Sequence, residues 1–271
     1  WTGLALEDGS LLFAGEGNRL LRMQADGVDD YTLARRFRSQ AIRVPMADEG
    51  YTKRMVRQQS TGRIVLGRTN GCVYVREGDR TELLCVLPSA VRDLAVSEDS
   101  PELFVACEDG RLVKVHLDSG VIQSTFASAT DLPIWTLAYN PDKRVVAACE
   151  RWGKVVILAA DDLSVVRDDF EAGRAKRAKW VDEDHLWWSH GGQLHQITLS
   201  TGAQEQIIEP QGNTIEDFAW DPGGNYLALV VYTGVLALYD FRELGRLAEI
   251  RDQIDYSKGV MWIPPDADGE S

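Results

Sequence analysis

The sequence lacks an apolar run long enough to cross a membrane. Its longest, residues 227–238, is interrupted by the polar stretch 232–234, whereas a membrane-spanning helix needs about 20 consecutive apolar residues. A secretory signal is absent as well, and the first residue is Trp1 rather than methionine. We therefore expect a soluble, cytoplasmic domain that belongs to a longer protein.

Cysteine is scarce, with four residues in 271. Two of them, Cys107 and Cys149, stand at the ends of short apolar segments, where a small buried side chain is wanted. Such thiols are typical of a core in a reducing compartment, and four scattered cysteines do not form a disulfide framework. The cysteines therefore favour the cytoplasm.

Motifs of enzyme chemistry are also missing. The sequence contains no G-x-S-x-G elbow, no phosphate-binding glycine loop and no H-E-x-x-H helix. His185, His190 and His195 are five residues apart, which on a strand places neighbours on opposite faces. Zinc ligands usually come in tighter pairs. We expect no metal, no cofactor and no catalytic residue.

What the sequence does contain is a repeated unit, clearest in residues 132–170. The segments IWTLAYN, RVVAACE, KVVILA and VVRDDF read as four short strands, separated by Pro141-Asp142, Gly153 and a polar turn. One four-stranded sheet cannot bury its own two faces, so it must stack on copies of itself.

Copies of this unit are marked by a glycine followed two residues later by an aliphatic residue. The marker glycines are Gly71, Gly110, Gly153, Gly192 and Gly234, with a looser copy at Gly17. Successive markers lie 39 to 43 residues apart, except for a first interval of 54. A propeller blade of four strands takes about 40–45 residues, and the longer first interval predicts an extended loop after Phe37.

The repeat resembles the WD-repeat family of β-propellers over nearly the whole chain. The shared features are Leu94-Ala95 and Leu137-Ala138 opening a hairpin, and Asp109-Gly110 before a third strand. The family's W-D pair survives only as Tyr239-Asp240 and His116-Leu117-Asp118, and no repeat has its G-H pair. The resemblance implies an all-β propeller of four-stranded antiparallel blades, and it implies no particular biochemical function.

We predict a single propeller domain over residues 1–263, followed by an acidic tail over 264–271. The predicted blades are 1–37, 53–87, 90–126, 132–170, 174–208 and 214–250, with a partial seventh at 257–263. The ring closes either with six blades and an added strand at the seam, or with seven blades completed from outside the sequence. An unfilled seam would expose strand edges to which a partner could add a strand.

Charge is predicted to differ between the two faces of the ring. Basic residues enter from the inter-blade links and from the loops between second and third strands, namely Arg36, Lys53, Arg54, Arg57, Arg151, Arg174, Lys176, Arg177 and Lys179. The opposite hairpins carry Glu7-Asp8, Glu98-Asp99, Asp161-Asp162 and 182–184. Solvated loops in a chain of net charge -13 would give a similar pattern, so both interpretations stay open.

Aromatic residues fall on the same basic face, and Trp, Tyr and Arg are the common anchors of protein interfaces. The predicted partner-binding residues are Arg36, Tyr51, Arg54, Trp135, Arg151, Trp152, Arg177 and Tyr232. The inner strands carry Leu4, Leu94, Leu137 and Phe218. We therefore predict a channel lined by apolar and small side chains.

Two functions remain open at this stage. The first is a protein-protein interaction scaffold, acting as the recognition or sensor part of a larger protein that binds another protein or another of its own domains. The alternative is a propeller enzyme of hydrolase or lactonase type, with convergent titratable groups in the channel. Net charge -13 disfavours nucleic acid as a partner, and nothing indicates a membrane or a small-molecule substrate.

Overall fold

The fold is a ring of six four-stranded antiparallel sheets, each built from four consecutive strands. This computed structural model describes residues 2–15, 19–28, 35–43, 50–251 and 259–262, with the backbone alone at 19, 25–28, 35–41 and 43. These residues contain no helix. The predicted all-β propeller with six complete blades is confirmed.

Blades one to three take up the first half of the chain. Their strands are β1 (Thr2–Ala5), β2 (Leu11–Ala14), β3 (Arg19–Val28) and β4 (Arg35–Arg43); β5 (Thr52–Arg57), β6 (Ile64–Arg68), β7 (Cys72–Glu77) and β8 (Arg80–Val86); and β9 (Val91–Val96), β10 (Glu102–Cys107), β11 (Arg111–His116) and β12 (Ile122–Ala127). In each blade the first strand lies innermost and the fourth outermost.

Blades four to six repeat this order. Their strands are β13 (Ile134–Asn140), β14 (Val145–Glu150), β15 (Lys154–Ala159) and β16 (Val165–Glu171); β17 (Ala178–Trp180), β18 (His185–His190), β19 (Gln193–Thr198) and β20 (Ala203–Ile208); and β21 (Ile215–Trp220), β22 (Tyr226–Val231), β23 (Val235–Asp240) and β24 (Arg246–Ile250).

The marker glycines tie the end of a blade to the start of its third strand. Their carbonyl oxygens accept a backbone hydrogen bond from the residue just past the fourth strand, as Gly71 does from Leu87 at 2.9 Å and Gly110 from Ser128 at 3.0 Å. Gly71 has φ +84°, and a Cβ there would collide with the carbonyl oxygen of Leu87. At Gly71, Gly110 and Gly192, glycine is needed because the backbone that follows the fourth strand approaches too closely for a side chain.

The core lies between blades rather than inside them. Blade four packs Ala147, Cys149 and Ile157 against Leu186 and Trp188 of blade five. Its other face contacts blade three in a separate cluster. Second strands are consequently apolar on both faces, and all six residues of β14 are buried.

Two details differ from the sequence-based expectation. The fourth strand of blade one runs to Arg43, past the predicted end at Phe37, so the prediction of a loop directly after Phe37 is wrong; residues 44–49 lie outside the described residues. Residues 259–262 form no strand, so a partial seventh sheet is not seen in the part of 257–263 that the structure describes. The other residues of that prediction, and the tail 264–271, lie outside the described residues.

The described part of the chain has no helix of the length and apolarity that spanning a bilayer requires. Its four cysteines are free thiols, and Cys107 and Cys149 are buried as expected. Burial raises the pKa of both thiols, which keeps them protonated and unreactive.

Candidate docking face

One face of the ring is formed by the inter-blade links and the loops between second and third strands; we name it the link face. In blade four the Arg151 amide donates to the carbonyl of Pro133 at 2.8 Å, and the Trp152 amide donates to that of Gly173 at 2.8 Å. Arg151 also forms a backbone bridge with Arg174 of the next link. The loop of blade four is thus held between two links.

Five side chains meet at this point in a basic-aromatic cluster: Trp135, Arg151, Trp152, Arg174 and Lys176. The Arg151 guanidinium carbon lies 4.6 Å from the centre of the Trp135 ring, and Lys176 Nζ lies 4.2 Å from it. The Arg174 guanidinium carbon lies 6.0 Å from the Trp152 ring. Cations at these distances are attracted by the faces of the rings.

Trp152 is held in an unusual backbone conformation. It has φ +61° and is 61% exposed. Blade five places Gly191, also with φ +61°, at the equivalent position before its marker glycine. A non-glycine residue in the left-handed region costs about 1–2 kcal/mol, so glycine would suit the fold better than an exposed tryptophan.

Two carboxylates offset part of the positive charge near the cluster. Glu108 forms an ion pair with Arg92, and Glu216 lies 3.6 Å from Lys176 Nζ. Burial lowers the pKa of Arg92, and the nearby positive charge of Arg151 lowers it further. Arg151 and Arg174 have no ion pair with a carboxylate among the described residues, so their charge remains available on the link face.

Arg54 and Arg177 do not join the exposed cluster. Arg54 Nε lies 2.6 Å from Asp93 of the next blade, and Arg177 Nε donates to Asp217 of the next blade at 3.0 Å. Both arginine side chains are 16% exposed. The inner strands therefore carry buried ion pairs, and the expectation of apolar and small side chains alone is wrong at these positions.

Each of these carboxylates links three consecutive segments of the ring. Asp93 also accepts hydrogen bonds from Thr136 Oγ1 at 2.7 Å and from the Leu137 amide at 3.1 Å, both in the following blade. Burial raises the pKa of Asp217, while Lys179 and Arg54 oppose this shift. Neither aspartate was predicted from the sequence, although Asp93 stands one repeat after Arg54 at the same register.

Three further predicted residues take other positions. Tyr51 is 38% exposed beside the first link, where its amide donates to Thr69 Oγ1 at 3.1 Å. Tyr232 is half-buried, and its amide donates to the Thr214 carbonyl at 2.8 Å. Arg36 belongs to β4, and its side chain lies outside the described residues.

The opposite hairpins are less uniformly acidic than the sequence suggests, because basic residues pair with them. Arg57, expected on the link face, lies at the far end of β5 and pairs with Glu7 at 2.6 Å. Asp161 pairs with Arg144, and Glu183 lies 3.7 Å from Lys143. The charge difference between the faces is therefore carried mainly by the basic-aromatic cluster.

The three histidines do not converge on a common point. His185 bonds Asp182 through Nδ1 at 2.8 Å, while the rings of His190 and His195 lie 4.6 Å apart. Burial lowers the pKa of His195 to about 4, and His190 adds to this shift. Among the described residues, no group of three or more His, Cys, Asp or Glu side chains is arranged to hold a metal ion.

No family model matches the chain, and neither does any curated protein. Solved structures do match it. The WD40 repeats of RRP9 align with a TM-score of 0.66 at 14% identity, over 77% of this chain and 66% of that structure. The structure of U3-55K aligns with a TM-score of 0.66 at 15% identity, over 77% of this chain and 67% of that structure. The computationally designed Ika8 protein aligns with a TM-score of 0.68 at 13% identity, over 96% of this chain and 86% of that structure. At such identities the likeness concerns the fold, and at that level the resemblance to WD-repeat propellers is confirmed.

Proposed function

We propose that this chain is a protein-interaction scaffold, the recognition module of a larger cytoplasmic protein, and that it docks a protein partner on the link face. The observation that carries the proposal is Trp152, a large apolar side chain exposed in a backbone conformation that favours glycine. Strain of this kind is retained where function requires it. Tryptophan beside arginine is also the commonest composition of an interface anchor.

The charge of the cluster selects an acidic partner surface. Arg151 and Arg174 rest on tryptophan rings, so a carboxylate that approaches them displaces no ion pair formed with a described residue. The ring faces are already occupied by the chain's own cations, which disfavours a cationic ligand at the same place. An acidic segment with an apolar residue that packs on Trp152 satisfies both features of the site.

The proposal is tested with the full-length protein carrying variants of the cluster. The double variant Arg151→Glu with Arg174→Glu should lower recovery of the bound partner at least tenfold, because charge reversal slows association. Trp152→Ala keeps the Cβ and the backbone conformation, and it should weaken binding by about 2 kcal/mol, or thirtyfold, through faster dissociation. Quantitative co-purification followed by binding kinetics measures both effects.

Matched controls lie on other surfaces of the ring. Arg80→Glu reverses an arginine whose side chain is 76% exposed, and Leu83→Ala removes an apolar side chain that is 53% exposed. Glu183→Lys probes the opposite hairpins; Asp182, its neighbour, is a poorer control because it accepts the amides of Asp184 and His185. Loss of the partner from Glu183→Lys, with retention by the cluster variants, would place docking on the hairpin side instead.

A further inference from the structure

The gap between blade six and blade one is occupied by residues 259–262. The Val260 amide donates to Asp217 Oδ2 of blade six at 3.3 Å, and Trp262 Nε1 donates to the Ala219 carbonyl at 3.1 Å. On the other side, a Cβ added to Gly3 of blade one would lie 2.8 Å from Met261 Cε. This seam segment therefore contacts both blades.

Its contacts repeat those of a genuine inner strand. Trp180 in β17 donates from Nε1 to the Ala138 carbonyl of the preceding blade at 3.1 Å, as Trp262 does to Ala219. The Leu137 amide donates to Asp93 of its preceding blade, as the Val260 amide does to Asp217. The seam segment thus holds the place of the innermost strand of a seventh blade.

The backbone of the seam segment has an edge that no described strand pairs with. In a complete blade the inner strand is bonded along its outward edge to the second strand, as β13 is to β14. Residues 259–262 form no backbone-to-backbone hydrogen bond with another described residue. Unpaired strand edges are templates for another strand.

Blade six presents an apolar face on this side that no described blade covers. In blade four, the equivalent Val155, Ile157 and Phe170 are at most 2% exposed because blade five packs on them. In blade six, Leu236 is half-buried and Ile250 is 50% exposed. These side chains of blade six are therefore less buried than those of blade four, because no described sheet packs on them.

The facing side of blade one is apolar too. Phe13, Leu21 and Met23 are half-buried, whereas the equivalent Ala148, Val156 and Leu158 of blade four are at most 4% exposed. A strand placed between blades six and one would therefore contact apolar surface on both of its faces.

We propose that the seam accepts an apolar β-strand from a different protein, which pairs antiparallel with residues 259–262 and stands as the second strand of a seventh blade. The chemistry of the occupant follows from the second strands of this chain. Residues 145–149 of β14 and all six residues of β22 are apolar, so both faces of each strand are apolar. Main-chain pairing supplies affinity in such strand addition, and the flanking pockets select the side chains.

The probe is a synthetic peptide with the sequence of residues 224–232, GNYLALVVY, extended by lysines for solubility. Its control carries proline in place of the central alanine, which removes a ladder hydrogen bond. Fluorescence anisotropy measures binding to the 271-residue chain, and hydrogen exchange follows the amides of Met261 and Trp262. We expect the probe to bind and to slow exchange at Met261, and the proline peptide to bind at least tenfold more weakly.

Variants of the chain locate the peptide. Ile250→Lys should weaken probe binding at least tenfold, whereas Ile122→Lys, on the outer strand of blade three and 48% exposed, should leave it unchanged. Equal binding to both variants, or a Met261 amide already protected without peptide, would overturn the proposal. Association of the chain with itself that Ile250→Lys abolishes would identify a second copy as the occupant, and would overturn it as well.

Discussion

At the scale of single residues, the ring combines an apolar core with charges buried between blades. Glu102, at the start of β10, pairs with Lys114 at 2.6 Å and with Arg144 at 2.9 Å. Asp93 connects Arg54 of one blade with Thr136 of another. These ion pairs connect neighbouring blades.

Removing Asp93 should leave an uncompensated charge in the core. Asp93→Leu should lower the free energy of unfolding by about 3–5 kcal/mol, because the Arg54 guanidinium loses its partner. Adding Arg54→Met should restore part of this loss, while the Leu137 amide stays unpaired. Urea unfolding of wild type, single and double variants measures the coupling. A double variant whose loss of stability equals the sum of the two single losses would show that the pair is not coupled.

Glu102 should make stability depend on pH in the acid range. Burial alone would raise its pKa, but hydrogen bonds from Arg144, Lys114 and Ser100 outweigh burial and lower the pKa to about 2. The folded pKa lies below the unfolded value of about 4.3. The contribution of Glu102 to the free energy of unfolding is therefore complete above that pH and is lost as the pH falls toward 2. Glu102→Gln should cost about 1 kcal/mol at neutral pH and flatten this profile. Thermal unfolding between pH 2 and pH 7 tests it, with Glu82→Gln as an exposed control that should change little.

At the scale of elements, the hydrophobic pattern was sufficient to predict most strands. It did not predict the contacts across the ring. The alternation in residues 132–170 predicted β13 to β16 closely, since each strand carries its own apolar period. The end of β4 was missed because that strand extends past the polar residues after Phe37. The ion pairs of Arg54 and Arg177 depend on neighbours one repeat away, which local patterns do not reveal.

The seam segment should contribute to the stability of the whole ring. Deleting residues 258–271 removes Val260 and Trp262 with their hydrogen bonds to blade six. A few kcal/mol of apolar burial is lost, so the melting temperature should fall by about 5 °C. Deleting residues 264–271 alone keeps the segment and serves as the control. Equal effects of the two deletions, or an unchanged melting curve for the longer one, would show that the segment is not docked.

At the scale of the whole molecule, the proposed function depends on Arg151 and Arg174, which form no ion pair with a described carboxylate. A chain of net charge -13 repels acidic partners at long range, yet the basic-aromatic cluster offers two arginines stacked on tryptophan at one point of the link face. The sequence predicted three of its five members, Trp135, Arg151 and Trp152, from their position in the repeat. Arg174 and Lys176 were visible as a basic run, but only the fold shows which tryptophans they contact.

The most direct test of the docking face is an aromatic photo-crosslinking residue, which keeps a ring at position 152 of the full-length protein, compared with the same residue at position 183 on the opposite hairpins. Side chains at both positions reach solvent, so the two probes differ mainly in the face that they report. We predict that the partner crosslinks to position 152, and that Arg151→Glu with Arg174→Glu abolishes this crosslink. A partner that crosslinks to position 183 and not to position 152 would contradict the account.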